Sequence, residues 1–224
     1  MDIEGTTTPI AFVHQVLFPY ARARTRAFLR QHAEDPAVRG DIALLHAEYA
    51  AEPPSADLPP WDPEAYVYWL MDRDRKSTGL KSLQGKIWQE GYRAGALKGE
   101  VYPDVRPALA RWGAEGKTIA IFSSGSIQAQ RNLFANTIDG DLTAFLSGYF
   151  DTTTGPKREA ASYRRIAAAL GRPAREVLFV SDVAAELDAA RAAGMRTALC
   201  IRSNVSTGDS SDGHPRIRDF GELA

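Results

Sequence analysis

The chain has 224 residues, 44% hydrophobic and 25% charged, an ordinary globular composition long enough for one medium domain or a core plus a smaller module. Lys plus Arg number 27 against 28 Asp plus Glu, and this balance excludes the net basic face of a nucleic-acid binder while leaving room for a local phosphate pocket. No apolar run reaches the ~18 residues of a membrane helix, and the opening MDIEGTTTPI lacks the basic and apolar parts of a secretion signal.

In chain order, residues 11–33 are expected to be helical, with Phe12, Val13, Val16, Leu17 and Tyr20 on the apolar face and Pro19 kinking or interrupting it. Arg22, Arg24, Arg26 and Arg30 read as a solvated face. Residues 42–50 continue in helix, and a proline-rich break follows from Pro53-Pro54 to Pro63. Residues 64–73 and 78–94 give two more helices; in the second, Leu80, Leu83, Ile87 and Trp88 share one side at helical spacing.

The pattern then changes. A helix over 104–114, with Asp104 as its N-cap, leads to the apolar run 117–122, which stops at Ser123-Ser124-Gly125-Ser126. Helices are expected over 126–135, 158–170 and 184–193, and strands over 177–180 and 197–201. Strand and helix alternate, which predicts an α/β fold with a parallel, Rossmann-like sheet. The expected division is a core of residues 1–20 and 101–224 with an inserted helical module of residues 21–100. There are no internal repeats, and the polar tail 203–215 is expected to be mobile. Cys200 lies in an apolar run, so it reads as a buried, inert thiol; a single cysteine also excludes an internal disulfide. A reducing cytoplasm is the expected location.

Ligands of open parallel sheets bind at the carboxyl ends of the strands, and the polar clusters of this chain follow that rule. Ser123-Ser124 and Asp182 each come directly after an apolar run, and Lys157 precedes a helix start. A phosphomonoester hydrolase needs a nucleophile, a proton donor for the leaving oxygen, and positive or hydrogen-bonding groups around the phosphoryl oxygens. Asp2 can supply the nucleophile and form an aspartyl phosphate. Glu4, two residues on, can be turned back as acid and base. Ser123 or Ser124 can donate to phosphate beside the free N–H groups of the next helix. Lys157 can supply fixed positive charge, and Asp182 with Asp2 can offer the all-oxygen donors that Mg2+ prefers. Singly, each group has an ordinary reading as a turn, a loop, a solvated lysine or a helix cap. Glu186, one turn after Asp182, reads as a local structural partner rather than a ligand.

That order of four groups resembles the signature of haloacid-dehalogenase-like hydrolases. The local wording is narrower. Asp2-Ile3-Glu4-Gly5-Thr6-Thr7 with Pro9-Ile10 and Phe12-Val13 resembles the opening of enolase-phosphatases, where Glu4 replaces the Asp usual in the superfamily. The segment from Leu80 to Trp88 with Gly91-Tyr92 is similar to that family's cap. So are the stretches Ser123–Ser126 with Ala129-Gln130 and Leu133-Phe134, and Phe150–Thr152 with Gly155 and Lys157. The resemblance implies an acireductone synthase of methionine salvage. It would enolise and then dephosphorylate 2,3-diketo-5-methylthiopentyl-1-phosphate with Mg2+ as cofactor. It further implies Asp2 and Glu4 as catalytic carboxylates, Ser123, Ser124 and Lys157 as substrate-binding groups, and Asp2, Glu4 and Asp182 as the Mg2+ set. The helical module would be a cap that excludes water. The alternatives are another small-molecule phosphatase of the same superfamily, or a catalytically impaired homologue. The partner is expected to be a small phosphate ester, with no nucleic acid, no membrane and a monomeric state. One departure stands out: the resemblance implies an apolar strand ahead of the nucleophile, and only Met1 precedes Asp2. The expectation is a reading frame that extends upstream by about five to ten residues, and a loose fold with a frayed Asp2 for the chain as given.

Overall fold

The computed structural model describes residues 1–202 and 213–223. Two compact units are present, Met1–Val13 with Lys98–Ala224, and His14–Leu97. The sequence had suggested boundaries at 20/21 and 100/101.

The first unit opens with the helical turn α1 (Ile10–Phe12), followed by a π-helical turn at Val13–Leu17. In the second unit α2 (Phe18–Gln31) comes next. Pro19 therefore does not break the helix expected over 11–33. It falls in the first turn of α2, where a missing N–H costs nothing, and the irregularity is placed ahead of it. The four arginines of α2 are exposed, as a solvated face requires; Arg22 pairs with Asp72 at 2.8 Å and Arg26 with Glu64 at 2.6 Å.

Helix α3 spans Pro36–Ala50 and starts earlier than residue 42, because Asp35 caps it through the Ala37 N–H at 2.8 Å and Pro36 takes the first position. Asp62 and Ser77 cap α4 (Pro63–Asp72) and α5 (Thr78–Arg93) in the same way. Glu48 of α3 accepts the Thr78 and Gly79 N–H groups at 2.8 and 3.2 Å, so a carboxylate sits at the positive end of α5. Gly79 must be small, since a Cβ there would lie 2.7 Å from Leu45 Cγ. Phe28, Val38, Leu45, Tyr66, Leu83 and Ile87 form the core of this helical unit.

The first unit resumes with α6 (Val105–Ala114), β1 (Ala120–Phe122), α7 (Ile127–Ala135) and β2 (Gly148–Phe150). It continues through α8 (Ala160–Ala169), β3 (Leu178–Ser181), α9 (Ala184–Ala192), β4 (Arg196–Cys200) and β5 (Arg216–Ile217). Strands β2 and β5 were not foreseen; at three and two residues they are too short to carry a periodic pattern. Among the described residues these strands pair in parallel, in the orders β1-β2 and β3-β4-β5. Phe122, Tyr163, Ile166, Phe179, Leu187 and Leu199 pack a shared core. Cys200 is buried and burial pushes its thiol up to about 11, so it is neutral and inert at pH 7. Asp104 stands at the N-cap position of α6 but makes no capping bond; its carboxylate is used elsewhere. Most of the tail 203–215 lies outside the described residues. At its end His214 is buried, with Nδ1 2.7 Å from Thr197 Oγ1. No helix among the described residues is long and apolar enough to cross a membrane.

The two sheets meet at Met1-Asp2. The Met1 amino group donates to the Ala120 carbonyl, the Phe122 N–H donates to the Met1 carbonyl, and the Asp2 N–H donates to the Val180 carbonyl, each at 2.9 Å. Asp2 is therefore buried, and the Met1-Asp2 segment is bonded to both sheets rather than frayed. Beyond this stitch lies a cavity of about 380 Å³ lined by Met1, Ile121, Phe122, Tyr163, Phe179 and Val180, among others. Fusing four or five Val and Ile residues ahead of Met1 should fill it as a parallel strand. Each buried side chain contributes about 1.5–3 kcal/mol, offset by about 1–2 kcal/mol per residue of ordering. The net gain is a few kcal/mol, a rise in Tm on the order of 5–15 °C, and a Gly/Ser fusion of equal length should give none. Equal melting curves for the two fusions would show that the cavity does not accept a strand.

Candidate active site

Asp2 owes its position to the stitch just described, which places it beside the carboxyl ends of β1 and β3. The following turn is tight: the N–H groups of Thr6, Thr7 and Thr8 all point at the Ile3 carbonyl, at 2.9–3.1 Å. Gly5 is at φ +68°, and a Cβ there would lie 2.1 Å from Asp182 Oδ2. Only glycine lets this turn and the Asp182 carboxylate approach so closely. The Asp182 N–H in turn donates to Thr6 Oγ1 at 3.1 Å.

Lys157 is the hub. Its ammonium lies 2.7 Å from Asp2 Oδ1 and 2.7 Å from Glu186 Oε2, with the side chain only 11% exposed. The Ser181 hydroxyl, with one proton to give, is 3.1 Å from Glu186 Oε2 and 3.4 Å from Asp2 Oδ2. Burial works against the charge on Lys157, but the Asp2 and Glu186 carboxylates outweigh it and the pKa ends above its ordinary 10.5. Burial, then the charge of Asp2, raises Glu186 against the pull of Lys157. The same two causes push Asp182 up to about 6. One lysine thus faces more negative charge than it can neutralise.

The Ser123 loop is built from α7 and β2. Ser123 is buried and its Oγ accepts from the Gly125 N–H at 3.2 Å, whereas Ser124 is exposed. Ser126, not Ser123, caps α7. The Gln130 side-chain amide donates to the Gly125 and Phe150 carbonyls, both at 2.8 Å, and Asp151 Oδ2 accepts the Ile127 N–H at 3.3 Å. These bonds brace the loop and leave Ser124 exposed.

Asp2, Lys157 and Asp182 are brought together, and Ser123 follows the strand that pairs with Met1. Glu4 is exposed at the outer corner of the turn, although its charge still contributes to the raised Asp182 pKa. Among the described residues no three His, Cys, Asp or Glu side chains converge as a ready metal site, so the expected trio Asp2, Glu4 and Asp182 is not assembled as a cluster. Glu186 is more than a local partner of its helix, because it holds Lys157. A carboxylate one helical turn after a strand-ending Asp was the available signal for it. Gly5, Ser181, Gln130 and Asp151 were missed as supports, since their roles depend on contacts remote in sequence.

The raised Asp182 pKa predicts a pH effect. Folded Asp182 binds its proton more tightly than the unfolded chain, whose value is near 3.8, so between roughly pH 4 and 6 stability falls as pH rises. In the presence of a chelator, Asp182→Asn should melt above wild type at pH 8 and lose that advantage by about pH 4–5. A constant Tm difference across this range would show that the carboxylate carries no such penalty.

A buried Asp held by Lys, a second Asp beside it and a braced serine loop thus gather at the strand ends. The sequence pattern described as haloacid dehalogenase-like hydrolase matches residues 1–194. The protein named enolase-phosphatase E1 from Synechococcus elongatus is 56% identical over 229 residues, covering 100% of this chain and 95% of its own. The chain belongs to the enolase-phosphatase family of haloacid dehalogenase-like hydrolases. A protein of the same name from Azotobacter vinelandii is 52% identical, over 98% of this chain and 93% of its own. The crystal structure of the Unknown transcript 4 protein from Saccharomyces cerevisiae superposes with a TM-score of 0.78 at 34% identity, covering 99% of this chain and 97% of that one. As a member of this family the chain is a hydrolase with phosphatase chemistry.

Proposed function

We infer that this enolase-phosphatase is the acireductone synthase implied by the sequence. It enolises 2,3-diketo-5-methylthiopentyl-1-phosphate and then removes its phosphate. The observation that carries this reading is the buried Asp2–Lys157 pair at the strand ends. Lys157 anchors Asp2 Oδ1, so Oδ2, held among the described residues by the long 3.4 Å contact to Ser181, is the oxygen placed to attack phosphorus. Attack forms the Asp2–phosphate bond as the bond from phosphorus to the substrate oxygen breaks. The departing oxygen takes a proton from Glu4. Glu4 then accepts a proton from the water that attacks the aspartyl phosphate, which releases phosphate and restores Asp2. Ser123 and Ser124 bind the phosphoryl oxygens.

Mg2+ fits this donor set. Asp182 Oδ1 is buried with no hydrogen-bond partner among the described residues, and burial beside Asp2 makes its charge costly. Mg2+ is commonly held by one or two carboxylates with the rest of its shell from water and substrate phosphate. Asp2 and Asp182 would hold it, with Glu4 contributing at longer range. When bound it neutralises developing charge on the phosphoryl group. The helical unit takes the part of the cap in this reading. Action as a monomer, in the cytoplasm, on a small phosphate ester completes it.

The test is stopped-flow absorbance with parallel phosphate detection in Mg2+. An enol signal should precede phosphate release. Glu4→Gln should slow phosphate release by about 10²–10⁴-fold, the usual contribution of a general acid–base group. If it also removes the enol signal, Glu4 is the base of the first step. Phosphate release with no preceding enol signal in wild type would instead make the chain a plain phosphatase.

A further inference from the structure

Arg202, two residues beyond β4, is a charged side chain only 8% exposed. Its Nε and Nη2 both donate to the Thr6 carbonyl, at 2.9 and 2.6 Å. Nη1 donates to Asp104 Oδ1 at 2.7 Å. The guanidinium lies 4.3 Å from the Tyr102 ring centroid and 4.6 Å from that of Phe220. The surrounding frame is itself fixed: Asp104 Oδ2 accepts the Phe220 N–H at 2.7 Å, and the Tyr102 N–H donates to the Thr7 carbonyl at 2.9 Å. Asp104 balances the charge, so the cation is not an anion site. What remains unexplained is the two-pronged grip on a single backbone carbonyl.

That carbonyl belongs to the residue that ties the turn after Asp2 to the Asp182 backbone. Thr6 accepts the Asp182 N–H through its hydroxyl and lies in the turn that follows Asp2. We propose that Arg202 is a positioning residue, clamping the Thr6 carbonyl so that the Asp2–Thr8 turn and Asp182 keep a fixed spacing. The proposal rests on the reading of Asp2 and Asp182 as the reacting and cation-holding carboxylates. A planar fork can aim two N–H groups at one carbonyl and a third at a carboxylate while stacking on two rings; an ammonium is a point donor with no plane to stack. Misplacement by about 1 Å can cost on the order of 10²-fold in rate.

Three variants test this. Arg202→Ala removes the clamp, and Arg202→Lys keeps the charge without the fork. Arg111→Ala is the control, because Arg111 braces the same C-terminal segment through the Phe220 and Leu223 carbonyls at 3.0 and 2.7 Å without touching the turn. Assays well below each Tm should show kcat down by on the order of 100-fold for Arg202→Ala and 10-fold for Arg202→Lys, with KM within about threefold. Guanidinium at a non-denaturing concentration should restore kcat of Arg202→Ala several-fold and leave Arg111→Ala unaffected. Independently of activity, amide hydrogen exchange over residues 5–8 should quicken in Arg202→Ala but not in Arg111→Ala. Wild-type kcat in both Arg202 variants would overturn the proposal. So would a loss matched by Arg111→Ala without guanidinium rescue, or unchanged exchange over residues 5–8. A wild-type protein that releases no phosphate would instead count against the proposed function, and the exchange experiment would still decide the clamp.

Discussion

Replacing Asp2 by Asn is expected to lower phosphate release by at least about a thousand-fold, the scale seen when a nucleophile is removed from an otherwise intact site. The amide keeps the shape of the side chain but is a poor nucleophile, and it is a weaker donor to a hard cation. The fold should survive, because the bonds that anchor residue 2 in the sheet come from its backbone: its N–H to the Val180 carbonyl, and the Met1 carbonyl to Phe122. The substitution should also let Asp182 ionise more easily, since the charge of Asp2 is, after burial, the largest cause holding its pKa up. Rapid-quench phosphate release and circular dichroism on the same preparation check both halves. Turnover within tenfold of wild type in a folded Asp2→Asn protein would rule out the aspartyl-phosphate route.

The second large effect belongs to Lys157. Lys157→Met should destabilise the protein by about 3–5 kcal/mol near pH 8, the cost of stripping a buried charge of its partner. Asp2 and Glu186 both lie 2.7 Å from its ammonium and both are buried, so neither can recover its loss from water. The sign with pH is distinctive. Without the lysine the Glu186 carboxylate loses the charge that pulls its pKa down, and stability should return as pH falls and Glu186 is protonated. In wild type the raised Lys157 pKa means that its contribution is fully present below about pH 10.5 and fades at more alkaline pH. Urea melts of both proteins from pH 5 to 9 provide the measurement. A pH-independent difference, or none, would show that the lysine does not neutralise the cluster. Catalysis should fall as well, since Lys157 holds Asp2 Oδ1 and leaves Oδ2 to attack.

The sequence alone determined the class of fold and the alphabet of the site. Apolar runs closed by Ser123 and Asp182, each followed by a helix, specify a parallel α/β core because period and turn chemistry are local properties. The chemical types that phosphoryl transfer needs are likewise visible as residue types in order: Asp2, Glu4, Ser123, Lys157 and Asp182. Tertiary structure decided which of them meet and what holds them. Met1 and Asp2 join two short sheets through three backbone bonds to Ala120, Phe122 and Val180, partners more than a hundred residues away. Glu186 passes from helix residue to partner of Lys157, Gly5 proves obligatory because of Asp182, and Arg202 reaches back 196 residues to Thr6. Asp104 shows the limit most plainly: its position is that of a cap, but its carboxylate goes to Arg202 and the Phe220 N–H. A cap is a contest between a local bond and a remote one, and a charge-assisted bond to a buried guanidinium is the stronger. Spacing along the chain cannot register that competitor, because only the folded backbone brings it within reach.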